Sequence, residues 1–168
     1  MSVESRKTIT LLGDGVRKEA LANGAIYPGQ LVYRSSATQF TKHAVAGGNT
    51  PKMFAVEDDL QGNGIDTVYA SGSQMLACVF KPGDEVNCLL SPGESVSIGD
   101  FVESAGDGYV RKHDATNLYE SAGSPTNAEI LYTNGLVGIV LSALDLSQSS
   151  AIEGADTLAK SRLRIEIL

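Results

Sequence analysis

Tryptophan is absent from this sequence, histidine and cysteine occur twice each, and Phe appears only 4 times in 168 residues. No apolar run approaches the roughly 18 residues that a membrane-crossing helix needs. Met1 to Gly13 holds no signal-peptide apolar stretch, so the expected site of action is the compartment of synthesis. Nucleophile elbows, H-E-x-x-H, C-x-x-C, dinucleotide glycine loops opening a helix and phosphate-cradling loops are all missing. The expectation is therefore a protein without catalysis and without a cofactor. His43 and His113, each flanked by Lys or Asp near the ends of expected strands, read as surface histidines rather than bases or ligands. Neither Lys81 nor Lys112 sits at a turn tip between two apolar neighbours, as a modified carrier lysine would.

Positive charge is also scarce, with 13 Lys and Arg against 20 Asp and Glu for a net charge of −7. Residues 1–24 carry four basic and three acidic groups, residues 25–156 six and sixteen, and residues 157–168 three and one. An acidic body with slightly basic ends excludes the clustered Lys and Arg face that nucleic acid requires, and no membrane partner is expected.

What the chain has is glycine, 18 residues of it, together with 6 Tyr and a mean hydropathy near zero. That composition suits short strands joined by tight turns. Gln74-Met-Leu-Ala-Cys-Val-Phe80 is β-rich, and Lys81-Pro82-Gly83-Asp84 follows it with one residue of fixed φ and one that accepts positive φ. Glu85–Leu90, the turn Ser91-Pro92-Gly93-Glu94 and Ser95–Val102 repeat the pattern. The reading is an all-β antiparallel meander forming a small barrel or sandwich. If residues 74–90 form one hairpin with a three-residue loop, Cys78 and Cys88 lie opposite each other on the face of Leu76, Phe80, Val86 and Leu90. Without a secretion signal they are expected to be buried and reduced.

Elsewhere, Gln30–Arg34 with Phe40–Val45, and Gly99–Glu103 with Tyr109–Lys112 across Asp107-Gly108, read as hairpins. Asn134-Gly135 between Glu129–Thr133 and Leu136–Leu141 has type I′ turn chemistry. Arg162-Leu-Arg-Ile-Glu-Ile-Leu168 alternates strictly and is expected as a half-buried strand that closes the sheet. Residues 1–24 look different: Thr8–Leu12 could pair as a strand, Val16–Ala22 is compatible with a short helix, and Asn23-Gly24 ends it. They are set apart as an extended N-terminal arm, with residues 25–168 as the β domain. Glu57 to Asp66 forms an acidic, glycine-rich connection. Asp58, Asp59, Asn63 and Asp66 are oxygen donors, yet their order does not fit a calcium loop, and no metal is expected.

Phe54-Ala-Val-Glu-Asp-Asp-Leu-Gln-Gly-Asn-Gly-Ile-Asp-Thr-Val-Tyr-Ala-Ser-Gly72 resembles a segment of small tailed-bacteriophage head proteins. Further similarity follows in Phe80-Lys-Pro-Gly-Asp-Glu-Val86, Gly99-Asp-Phe-Val102, Gly138-Ile-Val-Leu-Ser-Ala-Leu-Asp145 and the alternating C-terminal strand, spanning about Ala25 to Leu168. The resemblance implies a capsid decoration, or cement, protein. Its partner would be the major capsid protein, its place the capsid exterior of a virion assembled in the bacterial cytoplasm, and its form a homotrimer at or near threefold positions. Contact with the capsid is then expected from Arg6, Lys7, Arg17 and Lys18 in the arm and from Asp58, Asp59 and Asp66 in the acidic connection. The rival is a surface-exposed β module that recognises host carbohydrate. Tyr27, Tyr33, Tyr69, Tyr109, Tyr119 and Tyr132 could stack on sugars, but they are scattered along expected strands and read as core or rim packing.

Overall fold

The computed structural model describes residues 7–113, 135–149 and 159–168. Strand propensity and turn chemistry divide these residues into thirteen strands. They are β1 (Thr10–Leu12), β2 (Val16–Ala22), β3 (Val32–Arg34), β4 (Gln39–Lys42), β5 (Met53–Ala55), β6 (Gln74–Val79) and β7 (Glu85–Leu89). β8 (Ser95–Val96), β9 (Phe101–Ser104), β10 (Val110–Lys112), β11 (Leu136–Val140), β12 (Leu144–Asp145) and β13 (Arg162–Ile167) follow. A six-stranded sheet runs β1-β7-β13-β11-β9-β10, a five-stranded sheet runs β3-β4-β2-β6-β5, and β8 pairs with β12 in a small ribbon. The named strand pairs are antiparallel except for β2 with β4, and one isolated bridge, Leu90↔Val110, is also parallel. Neither large sheet closes on itself among the described residues, so the fold is an all-β sandwich rather than a barrel.

The main core joins side chains of both sheets: Phe54, Leu76, Cys78 and Phe80 from one, Val86, Cys88, Val102, Val137, Leu163 and Ile165 from the other. Phe54 and Phe80 meet edge to face with centroids 6.0 Å apart. A second apolar cluster, with Val32, Phe40, Met53, Ala55, Tyr69, Met75 and Ala77, includes the alternate residues of β5 and β6 and so covers the opposite face of the five-stranded sheet.

Several expectations hold. β3 and β4 form a hairpin in the register Val32↔Lys42, and β9 and β10 another in the register Val110↔Ser104. In β13, Leu163, Ile165 and Ile167 are buried while Arg162, Arg164 and Glu166 are partly exposed. That strand, however, lies inside the six-stranded sheet, between β7 and β11. The first half of the Asn134-Gly135 hairpin lies outside the described residues.

The meander is corrected. β6 and β7 do not pair: β6 lies between β2 and β5, and β7 between β1 and β13. Lys81–Asp84 is a turn, with Gly83 at φ 91 and Asp84 N–H donating to Lys81 O at 3.0 Å, but it reverses the chain between two sheets. The reason is burial on both faces, since β6 and β7 are each almost wholly enclosed. A strand of that kind needs two neighbours: β6 takes β5, which precedes it, and the distant β2, while both neighbours of β7 are distant in sequence. Cys78 therefore stands opposite Arg17 and Phe54, and Cys88 opposite Leu163. Both thiols are buried and free, as expected.

The separate arm is corrected as well. β1 pairs with the edge of β7, and β2 is a strand, not a helix, registered against β6 from Val16↔Val79 to Leu21↔Gln74. Residues 7–24 thus contribute to both sheets. Tertiary pairing overrides the weak local preference of Val16–Ala22.

Candidate functional site

The acidic connection follows β5 and is braced from within. Glu57, 8% exposed, accepts the Ile9 N–H through both carboxylate oxygens at 3.1 and 3.3 Å. Asp58 is buried, and its Oδ1 accepts the Gln61 N–H at 3.3 Å to cap a 3-10 turn over Asp59–Gln61. Gly62 closes that turn at φ 75, a conformation that costs a β-carbon dearly. Arg162 reaches in from β13: Nη1 donates to Pro28 O and Nη2 to Ile65 O, each at 2.6 Å, and Nη2 lies 3.3 Å from Asp66 Oδ1. Tyr69 Oη donates to Val56 O at 2.7 Å, and burial, with the nearby Asp58 and Glu57 charges, pushes its phenol up to about 12 while Arg17 opposes the shift. The outcome is a fixed loop whose tip carries the exposed Asp59 beside Leu60, 92% exposed.

Of the seven expected contact residues, Asp58 faces inward, Asp66 pairs with Arg162, and Asp59 points to solvent. Lys7, Arg17 and Lys18 are exposed, the last two on opposite faces of β2. Arg6 lies outside the described residues. Arg17 and the acidic connection come within electrostatic reach of the same phenol, Tyr69.

A second polar group escaped sequence reasoning. His43 is buried rather than at the surface, with Nδ1 2.7 Å from Ser104 Oγ, Nε2 3.3 Å from Asn49 O, and Tyr33 edge-on at 5.9 Å. Burial holds its imidazole below the usual range. Ser104 is fully enclosed and its Oγ also accepts the Gly106 N–H at 3.2 Å, so the pair fastens the end of β4 to β9. Next to it, buried Glu103 takes Arg111 at 2.7 Å and His113 at 2.6 Å. The only hint in the sequence is an acidic residue in the middle of the β-rich run Phe101–Ser104. Tyr33, His43, Val45, Asn49 and Pro51 line a half-open cleft of about 250 Å³. Tyr27 and Tyr109 pack against Leu89 in the core-or-rim role expected for them, while Tyr119 and Tyr132 lie outside the described residues. No group of three or more His, Cys, Asp or Glu side chains able to hold a metal occurs among the described residues.

No protein-family model and no curated protein matches this sequence. Among solved structures, the chain is similar to the N base of the head fiber gp8.5 of bacteriophage phi29, with a TM-score of 0.51 and 12% sequence identity over 92% of this chain and 95% of that one. At that identity the likeness is one of fold, and it extends over nearly the whole of both chains.

Proposed function

We propose that this protein is a non-enzymatic structural component of a tailed-phage head, seated on the outside of the capsid through the major capsid protein and stabilising the expanded shell by bridging capsomers. The observation that carries the reading is the near end-to-end fold similarity to the base of a phage head fiber. The motifs that resemble head proteins support it, because the longest of them, Phe54–Gly72, coincides with the braced acidic connection. A clip of this kind works by repetition: each contact is modest, and symmetry multiplies it. A threefold arrangement of copies suits such a role.

The tip of the connection is the capsid-facing element in this reading. Asp59 and Leu60 project from a turn whose geometry is set by Asp58, Glu57 and Arg162, so a partner pocket meets a preorganised knob and little ordering cost arises on binding. Co-sedimentation with undecorated, expanded heads tests it. Saturable binding by the full chain is expected, with at least tenfold weaker binding for Leu60→Asp and an unchanged urea midpoint. Absence of saturable binding by the full chain overturns the proposed function. Retained binding by Leu60→Asp overturns only the assignment of the tip.

A further inference from the structure

Among the described residues, the side of β2 that faces away from β6 is covered by a strand only at its C-terminal end. Ala22 N–H donates to Ser73 O, whereas Leu21 N–H donates to Thr38 O ahead of β4. Main-chain groups alternate in direction along a strand, so Val16, Lys18 and Ala20 face β6 while Arg17 and Glu19 face the other way. β4 pairs with β2 only at Leu21↔Gln39 and Ala22↔Phe40. Before β2, the chain bends at Gly13, φ 97. A window over Val16–Ala20 therefore presents the N–H and C=O groups of Arg17 and Glu19 without a strand partner among the described residues, and the side chains of residues 16–19 are exposed.

We infer that this window is a self-pairing edge, whose partner is the same window of a second copy, antiparallel and centred on Lys18. The charge pattern argues for that occupant. With Lys18 opposite its symmetry mate, Arg17 falls opposite the second copy's Glu19, and Glu19 opposite its Arg17. The residues that are paired by charge are also the residues whose main-chain groups face outward, so about four main-chain hydrogen bonds and two Arg–Glu contacts form together. On the other face Val16 meets Ala20. The single like-charged contact is Lys18 with Lys18, two long side chains free to splay. An isologous contact of this kind closes at two copies. It concerns free protein and stands apart from the capsid reading.

Disulfide trapping tests it in solution. A central, non-hydrogen-bonded antiparallel pair places its Cα atoms about 4.5 Å apart, within disulfide range. Both native thiols are buried. Lys18→Cys is expected to oxidise to a covalent dimer at least tenfold faster than Lys81→Cys, whose parent side chain is 58% exposed on a turn. Adding Arg17→Glu or Glu19→Arg singly slows trapping about tenfold, and adding both together restores it. Equal trapping of the two cysteine variants, or failure of the double exchange to recover what each single exchange loses, overturns the inference.

Discussion

Arg162 is the side chain on which the acidic connection most depends. Its side chain is 8% exposed, and its guanidinium satisfies two main-chain carbonyls and one carboxylate from separate segments; a lysine cannot fork to all three. Arg162→Lys should lower stability by about 2–3 kcal/mol in urea unfolding, because buried acceptors lose their donor. Asp66→Asn should cost less than about 1 kcal/mol, since that carboxylate is 43% exposed and screened. His43 sets a pH dependence of definite sign. Its folded-state imidazole resists protonation, whereas in the unfolded chain it takes up a proton near the ordinary value of about 6.5. Its contribution is therefore fully present above that pH and is lost as pH falls. Urea midpoints at pH 7.5 and 5.5 should differ more for the native chain than for His43→Gln. Burial also pushes the Cys88 thiol up to about 12, so a thiol reagent should modify neither cysteine until the chain unfolds, and then both. The free thiols and the acidic loop were legible in the sequence. The inward turn of Asp58 was not, because a capping carboxylate and a solvated one look alike until the turn that needs the cap is known.

At the scale of elements, turn chemistry marks where the chain reverses but not which strands the reversal joins. Pro82-Gly83 makes a turn as expected, and so does Asp107-Gly108, but the second joins neighbouring strands and the first joins two sheets. A turn specifies a local reversal; which sheet receives the next strand depends on which faces must be buried. β13 was legible because its period-two pattern reports one face buried against the core. β6 and β7 were not, since strands buried on both faces show no such contrast. The closeness of β11 to β13 gives a test at this scale: a β-carbon at Gly138 would lie 2.5 Å from Glu166 O. Gly138→Ala should destabilise by about 1–3 kcal/mol as the two strands are forced apart, measured by urea unfolding; an unchanged midpoint would mean that the ladder yields there freely.

In the whole molecule, the N-terminal residues tie the two sheets together: β1 lies on one sheet, β2 within the other, and Glu57 holds Ile9 between them. Deleting residues 1–22 should therefore abolish cooperative unfolding rather than detach an appendage. Loss of near-UV circular dichroism would check this, and a truncated chain that still unfolds cooperatively would restore the arm reading. Sequence alone determined the all-β class, the places where the chain turns and the two faces of β13, because side-chain period and turn chemistry act over a few residues. Tertiary structure alone decided the order of strands, the inward roles of Asp58, Glu57 and His43, and the window over Val16–Ala20 that no strand covers among the described residues. Those follow from which distant segments bury one another's apolar faces and satisfy one another's main-chain groups, and no local pattern encodes that choice.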